Sequence, residues 1–130
     1  MTSVRQVQVT FDCASPRAVA DFWKAALGYV DPPHPPDPED TWAACQDPEG
    51  VGPRLYFQRV PEAKAAKNRV HLDVRVATGL DGDERLAALE AEASRLEALG
   101  ARRGTLLLAD GENESCQNMF DVEGNEFCLD

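Results

Sequence analysis

The 130-residue chain reads as one pattern written twice, and that duplication limits its fold more than any other feature. A strand, a helix and further strands run to about residue 60, and the same order resumes near residue 68. The first helix ends in "AALGYV" and the second in "EALGAR". The turn "DPEG" at Asp47 to Gly50 returns as "DVEG" at Asp121 to Gly124, and "VQV" at residues 7 to 9 corresponds to "VHL" at 70 to 72. These echoes come in the same order on matching elements, which marks an internal duplication of a βαβββ unit. The expected class is α+β with two such modules.

Each element carries its own signal. In "VQVTFDCAS", Val7, Val9 and Phe11 alternate with Gln8, Thr10 and Asp12, so the spacing predicts a strand with one buried face. Ser15 before Pro16 reads as a helix N-cap followed by a first-turn proline. Val19, Phe22, Trp23, Ala26 and Leu27 then recur at helical spacing, and Gly28 closes the helix. "DPPHPPDPED" is too rich in proline for a helix or central strand. "TWAACQ" and "RLYFQRV" read as strands, and "EAKAAK" as a polar connector. In the second half, "RVHLDVRV" predicts a strand whose core face is Val70, Leu72 and Val74. Residues 83 to 99 predict a helix with Leu86, Leu89, Ala93 and Leu96 on its apolar stripe, ended by Gly100. "RRGTLLLA", "SCQNMFD" and "EFCLD" supply the remaining strands. The face opposite the core carries Gln8, Thr10 and Asp12 in module one, and His71, Asp73 and Arg75 in module two. If the sheets curl, those polar faces line a concavity suited to a small molecule.

Composition excludes several functions. A net charge of −10 argues against sequence-independent nucleic-acid binding, which needs a basic surface. No apolar run reaches the length of a membrane span. "MTSVRQVQVTFDC" lacks the basic-then-apolar plan of a secretory leader, so a cytoplasmic protein is expected, with Cys13, Cys45, Cys116 and Cys128 reduced. Those cysteines show no C-x-x-C spacing, and no structural zinc site is expected from them. No phosphate loop, serine triad or nucleotide fingerprint occurs.

"FDCASPRAVADFWKAALGY", "KNRVHLDVRV", "LEALGARR" and "DVEGNEFCLD", taken in order, resemble the vicinal oxygen chelate superfamily, the glyoxalase, bleomycin-resistance and extradiol-dioxygenase fold, and within it the glyoxalase-like domain branch. The resemblance spans nearly the whole chain. It implies a single domain over residues 1–130, with module one at about 4–60, a connector at about 61–67 and module two at about 68–130. The modules would be related by a pseudo-twofold axis and form a cupped, incomplete barrel. Metal-using members take ligands from the first, fourth, fifth and last strands, as His, Glu or Gln, His, and Glu. By position these fall on Gln8, on Tyr56 or Gln58, on His71 and on Cys128. Gln8 is a neutral amide where imidazole would bind a transition metal far better. One imidazole and one thiolate do not complete such a site, although Gln8, Gln58, His71 and Glu126 would form an alternative set. No metal is therefore expected; the alternative is zinc, nickel, iron or manganese.

His71 reads as a cup residue contacting a ligand, as a metal ligand, or as a structural residue bonded to Asp73. As a general base its partners would be Asp73 or Glu126, which leaves His71 and Glu126 as the catalytic candidates. Cys128 reads as an inert thiol before a nucleophile. Trp42, Tyr56 and Phe57 belong to the core or the pocket wall. "PPHPPDP", with His34, is a solvated connector or a lid. Glu84, Glu90, Glu92 and Glu97 form a solvated helix face. Two functions follow. The first is a metal-independent small-molecule binder with Gln8, Trp42, Tyr56, Gln58, His71, Asp73 and Cys128 around the ligand. The second is a lyase, isomerase or dioxygenase in which a metal held by His71, Glu126 and a Gln stabilises developing charge. Uncovered strand edges, and the family's habit of pairing chains, imply a homodimer.

Overall fold

The computed structural model describes residues 3–130; Met1 and Thr2, which begin the stretch read for a leader, lie outside it. The chain divides into two compact units between Lys64 and Ala65. No helix among the described residues is long and apolar enough to cross a membrane.

Unit one contains β1 (Gln8–Cys13), α1 (Pro16–Leu27), β2 (Trp42–Cys45) and β3 (Arg54–Arg59). The sheet order is β1-β3-β2, with β1 parallel and β2 antiparallel to β3. Val30 adds one antiparallel bridge to Gln46, just beyond β2. Prolines 32, 33, 35, 36 and 38 follow it, and residues without an N–H cannot extend a ladder. α1 buries Pro16, Val19, Ala20, Phe22 and Trp23. Phe11 joins them, its ring centroid 5.5 Å from Trp23 and 5.1 Å from Phe57. Ser15 is the N-cap residue, but its side chain makes no cap hydrogen bond. A donor of the first turn is satisfied from the proline-rich loop instead: Arg17 N–H donates to Asp40 Oδ1 at 2.8 Å. Gly28 takes φ 71° and lets the helix stop in a left-handed turn.

Unit two contains β4 (Leu72–Val74), α2 (Gly82–Ala98), β5 (Arg102–Leu107), β6 (Cys116–Phe120) and β7 (Glu126–Leu129). Its sheet order is β4-β7-β6-β5. Leu89, Ala93 and Leu96 of α2, Met119 of β6, and Phe127 and Leu129 of β7 are buried. Leu86, expected on the helix stripe, is only half-buried, and Arg85 takes a buried place beside it.

The two sheets follow one plan. In each, the first strand pairs parallel with the last, and the last pairs antiparallel with the one before it. The second strand lies beyond; in unit one it is reduced to the Val30 bridge. The echoed turns are also the same object. Gly50 N–H donates to Asp47 O at 3.1 Å, and Gly124 N–H to Asp121 O at 3.0 Å. The Asp47 carboxylate accepts Glu49 N–H at 2.8 Å, and that of Asp121 accepts Glu123 N–H at 2.9 Å. The class is α+β, with the βαβββ order in both halves.

Both first strands are shorter than their alternation predicts. Val70 is 77% exposed and Val7 69%, so neither joins the core face. Partners explain this. Val7 would fall opposite Pro53, which has no N–H, since Gln8 pairs with Arg54. Val70 would fall opposite Asn125, whose backbone and side-chain N–H groups are held by the Asp121 carboxylate.

Candidate functional site

Alternation in unit two sends Leu72, Val74, Phe127 and Leu129 to one side and Asp73, Glu126 and Cys128 to the other. A cavity of about 760 Å³ lies within this unit, lined among others by His71, Asp73, Asn118, Phe120, Glu126 and Cys128. Asp73 and Cys128 are direct neighbours across the parallel pair β4–β7. His71 Nε2 lies 3.3 Å from Asp73 Oδ1. One donor atom from each of His71, Asp73 and Cys128 lies within 4.8 Å of the other two. The Cys128 thiol donates to Asn118 Oδ1 at 3.1 Å. Burial pushes that thiol up to about 11, with the neighbouring Cys116, Asp73 and Asp130 adding to the effect. Cys128 is therefore a protonated thiol at neutral pH, in keeping with the inert reading.

Gly104, Phe120 and Arg85 also line the cavity. Gly104 sits where β5 breaks register, between Arg103 and Leu106. A Cβ there would come within 3.1 Å of the Phe120 ring and 3.3 Å of the Asn118 backbone, so a side chain at this position would push those neighbours back by a few tenths of an ångström. Arg102 lies over the Phe120 ring, with Cζ 4.1 Å from the centroid. Arg85 is 7% exposed; its Nε donates to Ser115 O at 2.9 Å and its Nη1 to Ala77 O at 3.1 Å. Arg75 Nε lies 2.6 Å from Asp130 Oδ1, a charge contact whose angle leaves that oxygen without an aligned hydrogen bond.

The polar face of unit one is built differently. Gln8, Thr10 and Asp12 lie opposite Arg54, Tyr56 and Gln58. Arg54 Nη1 donates to Gln8 Oε1 at 2.7 Å, and Gln58 Nε2 to Asp12 Oδ1 at 2.8 Å. Trp42 stacks on Tyr56 with centroids 5.9 Å apart and planes 9° apart, Arg54 lies 5.7 Å from the Tyr56 centroid, and His34 lies 5.4 Å from Trp42. His34, read as part of a solvated loop, thus adds a ring to an aromatic row. Phe57 is fully buried in the core rather than on a pocket wall.

Of the residues singled out in the sequence, three meet: His71, Asp73 and Cys128. Glu126 lines the same cavity, but its carboxylate accepts Asn68 N–H at 2.9 Å and does not join their cluster. Gln8, Trp42, Tyr56 and Gln58 belong to unit one. The strand registers bear on the open choice between Tyr56 and Gln58. Thr10 faces Tyr56 as Asp73 faces Cys128, so Tyr56 holds the position equivalent to Cys128. The donors do not fit the four-ligand metal of the superfamily. The Gln8 oxygen is occupied by Arg54, Gln58 is turned to Asp12, and Tyr56 is stacked on Trp42. The sequence reading missed Asn118 and Arg85. Asn118 had a signal, since it shares the alternating face of Cys116 and Phe120. Arg85 had one too, lying four residues before Leu89 on the buried stripe.

The family model described as "Glyoxalase-like domain" matches residues 8–129. No curated protein matches the chain. Among solved structures, a glyoxalase/bleomycin resistance protein/dioxygenase family enzyme from Burkholderia phytofirmans PsJN has a TM-score of 0.70 at 13% identity, covering 94% of each chain. A mutant of the fosfomycin resistance protein FosX from Listeria monocytogenes, complexed with Mn(II) and 1S,2S-dihydroxypropylphosphonic acid, has a TM-score of 0.68 at 11% identity, over 99% of this chain and 90% of that one. Oxidase ChaP-H2 has a TM-score of 0.58 at 14% identity, over 98% and 93%. At these identities the likeness is one of fold.

Proposed function

Because the chain belongs to the glyoxalase-like domain family, we propose that it binds a small polar organic molecule in the unit-two cavity, with His71 as the principal hydrogen-bonding contact and without the metal held by FosX. The observation that carries this reading is the convergence of His71, just before β4, with Asp73 and Cys128 on the paired strands β4 and β7, backed by Asn118, inside one cavity. Asp73 and Cys128 are fixed by the sheet and already oriented, so a ligand loses little by meeting them. Phe120 under Arg102 supplies an apolar wall.

Charge narrows the ligand. Asp73, Asp110, Glu114, Glu126 and Asp130 line the cavity against Lys67 and Arg85, five carboxylates to two fixed cations. A neutral or amine-bearing molecule suits that field; a phosphonate such as the one in the FosX complex does not. The four free cysteines suit a reducing compartment, which supports a cytoplasmic location. Leu106, Leu107 and Leu108, 45%, 49% and 64% exposed along and just past edge strand β5, support pairing of two chains through that edge.

The test is calorimetric titration of chelator-treated protein against amine-bearing, neutral and phosphonate compounds of matched size. The expected result is binding of the first two classes, weakened in His71→Ala by roughly 1–3 kcal/mol, the usual loss when a buried polar contact is left unpaired. Equal affinity in His71→Ala, or binding that appears only with added Mn(II), would overturn it. Sedimentation showing a monomer at all concentrations would remove the pairing.

A further inference from the structure

We infer that Asn118 makes the unit-two cavity selective for amines that also carry a carbonyl: its side-chain amide, turned by the Cys128 thiol, donates to the carbonyl oxygen. The inference rests on the reading of this cavity as a small-molecule site and narrows what it takes. Cys128 keeps its proton at neutral pH and donates it to Asn118 Oδ1 at 3.1 Å. That bond orients the amide, with its oxygen toward the sulfur and its Nδ2 group turned away. The Nδ2 group carries two N–H donors, and among the described residues neither has a protein acceptor. The backbone beneath is pinned, since the Asn118 carbonyl accepts Gln117 Nε2–H at 3.0 Å. Gly104 opens the flank toward β5. A Cβ there would come within 3.3 Å of the Asn118 Cβ, and glycine sets no side chain in that place.

Register supplies the second half of the ligand. Asn118 pairs with Cys128, and Cys128 with Asp73, so the three form one row across β6, β7 and β4 on the cavity side. With strands about 4.8 Å apart, the Asn118 and Asp73 backbones stand about 10 Å from each other. One end of the row offers N–H donors. The other offers a carboxylate that meets His71 through Oδ1 and has no further partner among the described residues. A molecule with a carbonyl at one end and an ammonium at the other matches both. A carboxylate or phosphonate would also accept from Asn118, but it would face five carboxylates against two fixed cations; a neutral carbonyl accepts without that repulsion. The ligand class is therefore an amino ketone or an amino amide. Unit one has no such device, because the register equivalent of Asn118 there is Ala44, opposite Tyr56.

The test is an NMR titration of nitrogen-labelled, chelator-treated protein with two matched pairs of amines. One pair is para-acetylbenzylamine and para-ethylbenzylamine; the other is gamma-aminobutyramide and pentylamine. In each, the first member has the carbonyl and the second lacks it. The carbonyl member should bind about tenfold more tightly, the size of one well-aligned hydrogen bond. It alone should shift the Asn118 side-chain N–H signals, which are identified by their loss in Asn118→Asp. Asn118→Asp keeps an acceptor for the thiol but has no N–H, so the preference should fall to about twofold or less; its added charge acts on both amines and cancels in the ratio. Asn118→Leu should lose the preference in the same way, and it decides the matter if Asn118→Asp does not fold. Cys128→Ala should reduce the preference, and Cys128→Ser, whose hydroxyl donates in place of the thiol, should restore it. Equal binding of both members in wild type, an unmoved Asn118 signal, or a preference that survives in Asn118→Asp or Asn118→Leu would overturn the inference. If both members bind alike and both weaken in His71→Ala, this inference fails and the cavity reading stands. If neither member of either pair binds, both fail.

Discussion

Thr10 faces Tyr56 in unit one, and Asp73 faces Cys128 in unit two; these are the same pair of positions on the same kind of sheet. The core sides of those strands match in character: Leu55 and Phe57 in one unit, Phe127 and Leu129 in the other, all buried. The other sides have diverged. Unit one spends its polar face on internal pairs, Arg54 with Gln8 and Gln58 with Asp12, and on an aromatic row. Unit two leaves an imidazole, a carboxylate and a thiol gathered in a cavity. The core face is constrained by packing, where a lost methylene is felt. The opposite face is free to change so long as its polar groups find partners.

The largest effects should come from the shared frame and be alike in both units. Phe57→Ala and Phe127→Ala each remove a fully buried ring, and each should cost about 3–5 kcal/mol in urea unfolding. A loss below about 1 kcal/mol in either would mean that unit is not held by the packing described.

A smaller effect should separate the units. Val19 and Arg85 each lie four residues past their helix caps, Ser15 and Asp81, and both are buried. Val19 packs, whereas Arg85 satisfies the Ser115 and Ala77 carbonyls. Arg85→Met keeps much of the volume but strands both acceptors, at a cost of about 2–3 kcal/mol. An unchanged urea midpoint would show that those carbonyls find other partners and that Arg85 does not tie unit two together.

The sequence made the duplication legible because turn chemistry and helix ends are local. Asp47 to Gly50 and Asp121 to Gly124 needed only an aspartate and a glycine at the right offsets. Gly28 and Gly100, at φ 71° and 107°, marked the helix ends for the same reason. Strand length was not legible, because it depends on the partner: Pro53 ends β1, and the Asp121–Asn125 bonds end β4. The cap from Asp40 to Arg17 spans 23 residues and leaves no local trace. His71 and Asp73 could be placed on one face by alternation, and Cys128 joined them through the family pattern. That Glu126 would be held by Asn68, leaving it outside the donor cluster, rests on a contact 58 residues apart in sequence.

The shared turn gives a pH test. The Asp47 carboxylate is held below its ordinary value of 3.8 by the Gly52 N–H first, and then by Glu49 N–H, with Val51 N–H adding to them. A carboxylate whose folded pKa is depressed contributes stability that is complete above its unfolded pKa and is lost as pH falls through the folded one. Stability should therefore decline on acidification below about pH 4, and part of that decline should vanish in Asp47→Asn. Acid unfolding curves of the two proteins that run parallel would remove Asp47 from the account.

The smallest effect concerns the thiols, and it compares a core with a cavity. Cys45 of unit one is fully buried, and burial pushes its thiol up to about 12; Cys128 is partly buried, and the same cause pushes it up to about 11. The thiolate is the form that alkylates, so neither residue should react quickly with iodoacetamide at neutral pH while the protein is folded. As pH rises, Cys128 should label before Cys45, read by peptide mass spectrometry, because its pKa is lower and the cavity gives the reagent access. Stability follows the same sign. Both thiols ionise near 9.0 when unfolded, so their contribution is intact below that pH and declines above it. Labelling of Cys45 first would place the more open thiol in unit one and reverse the comparison, leaving unit two with no better claim to a reachable site than its twin.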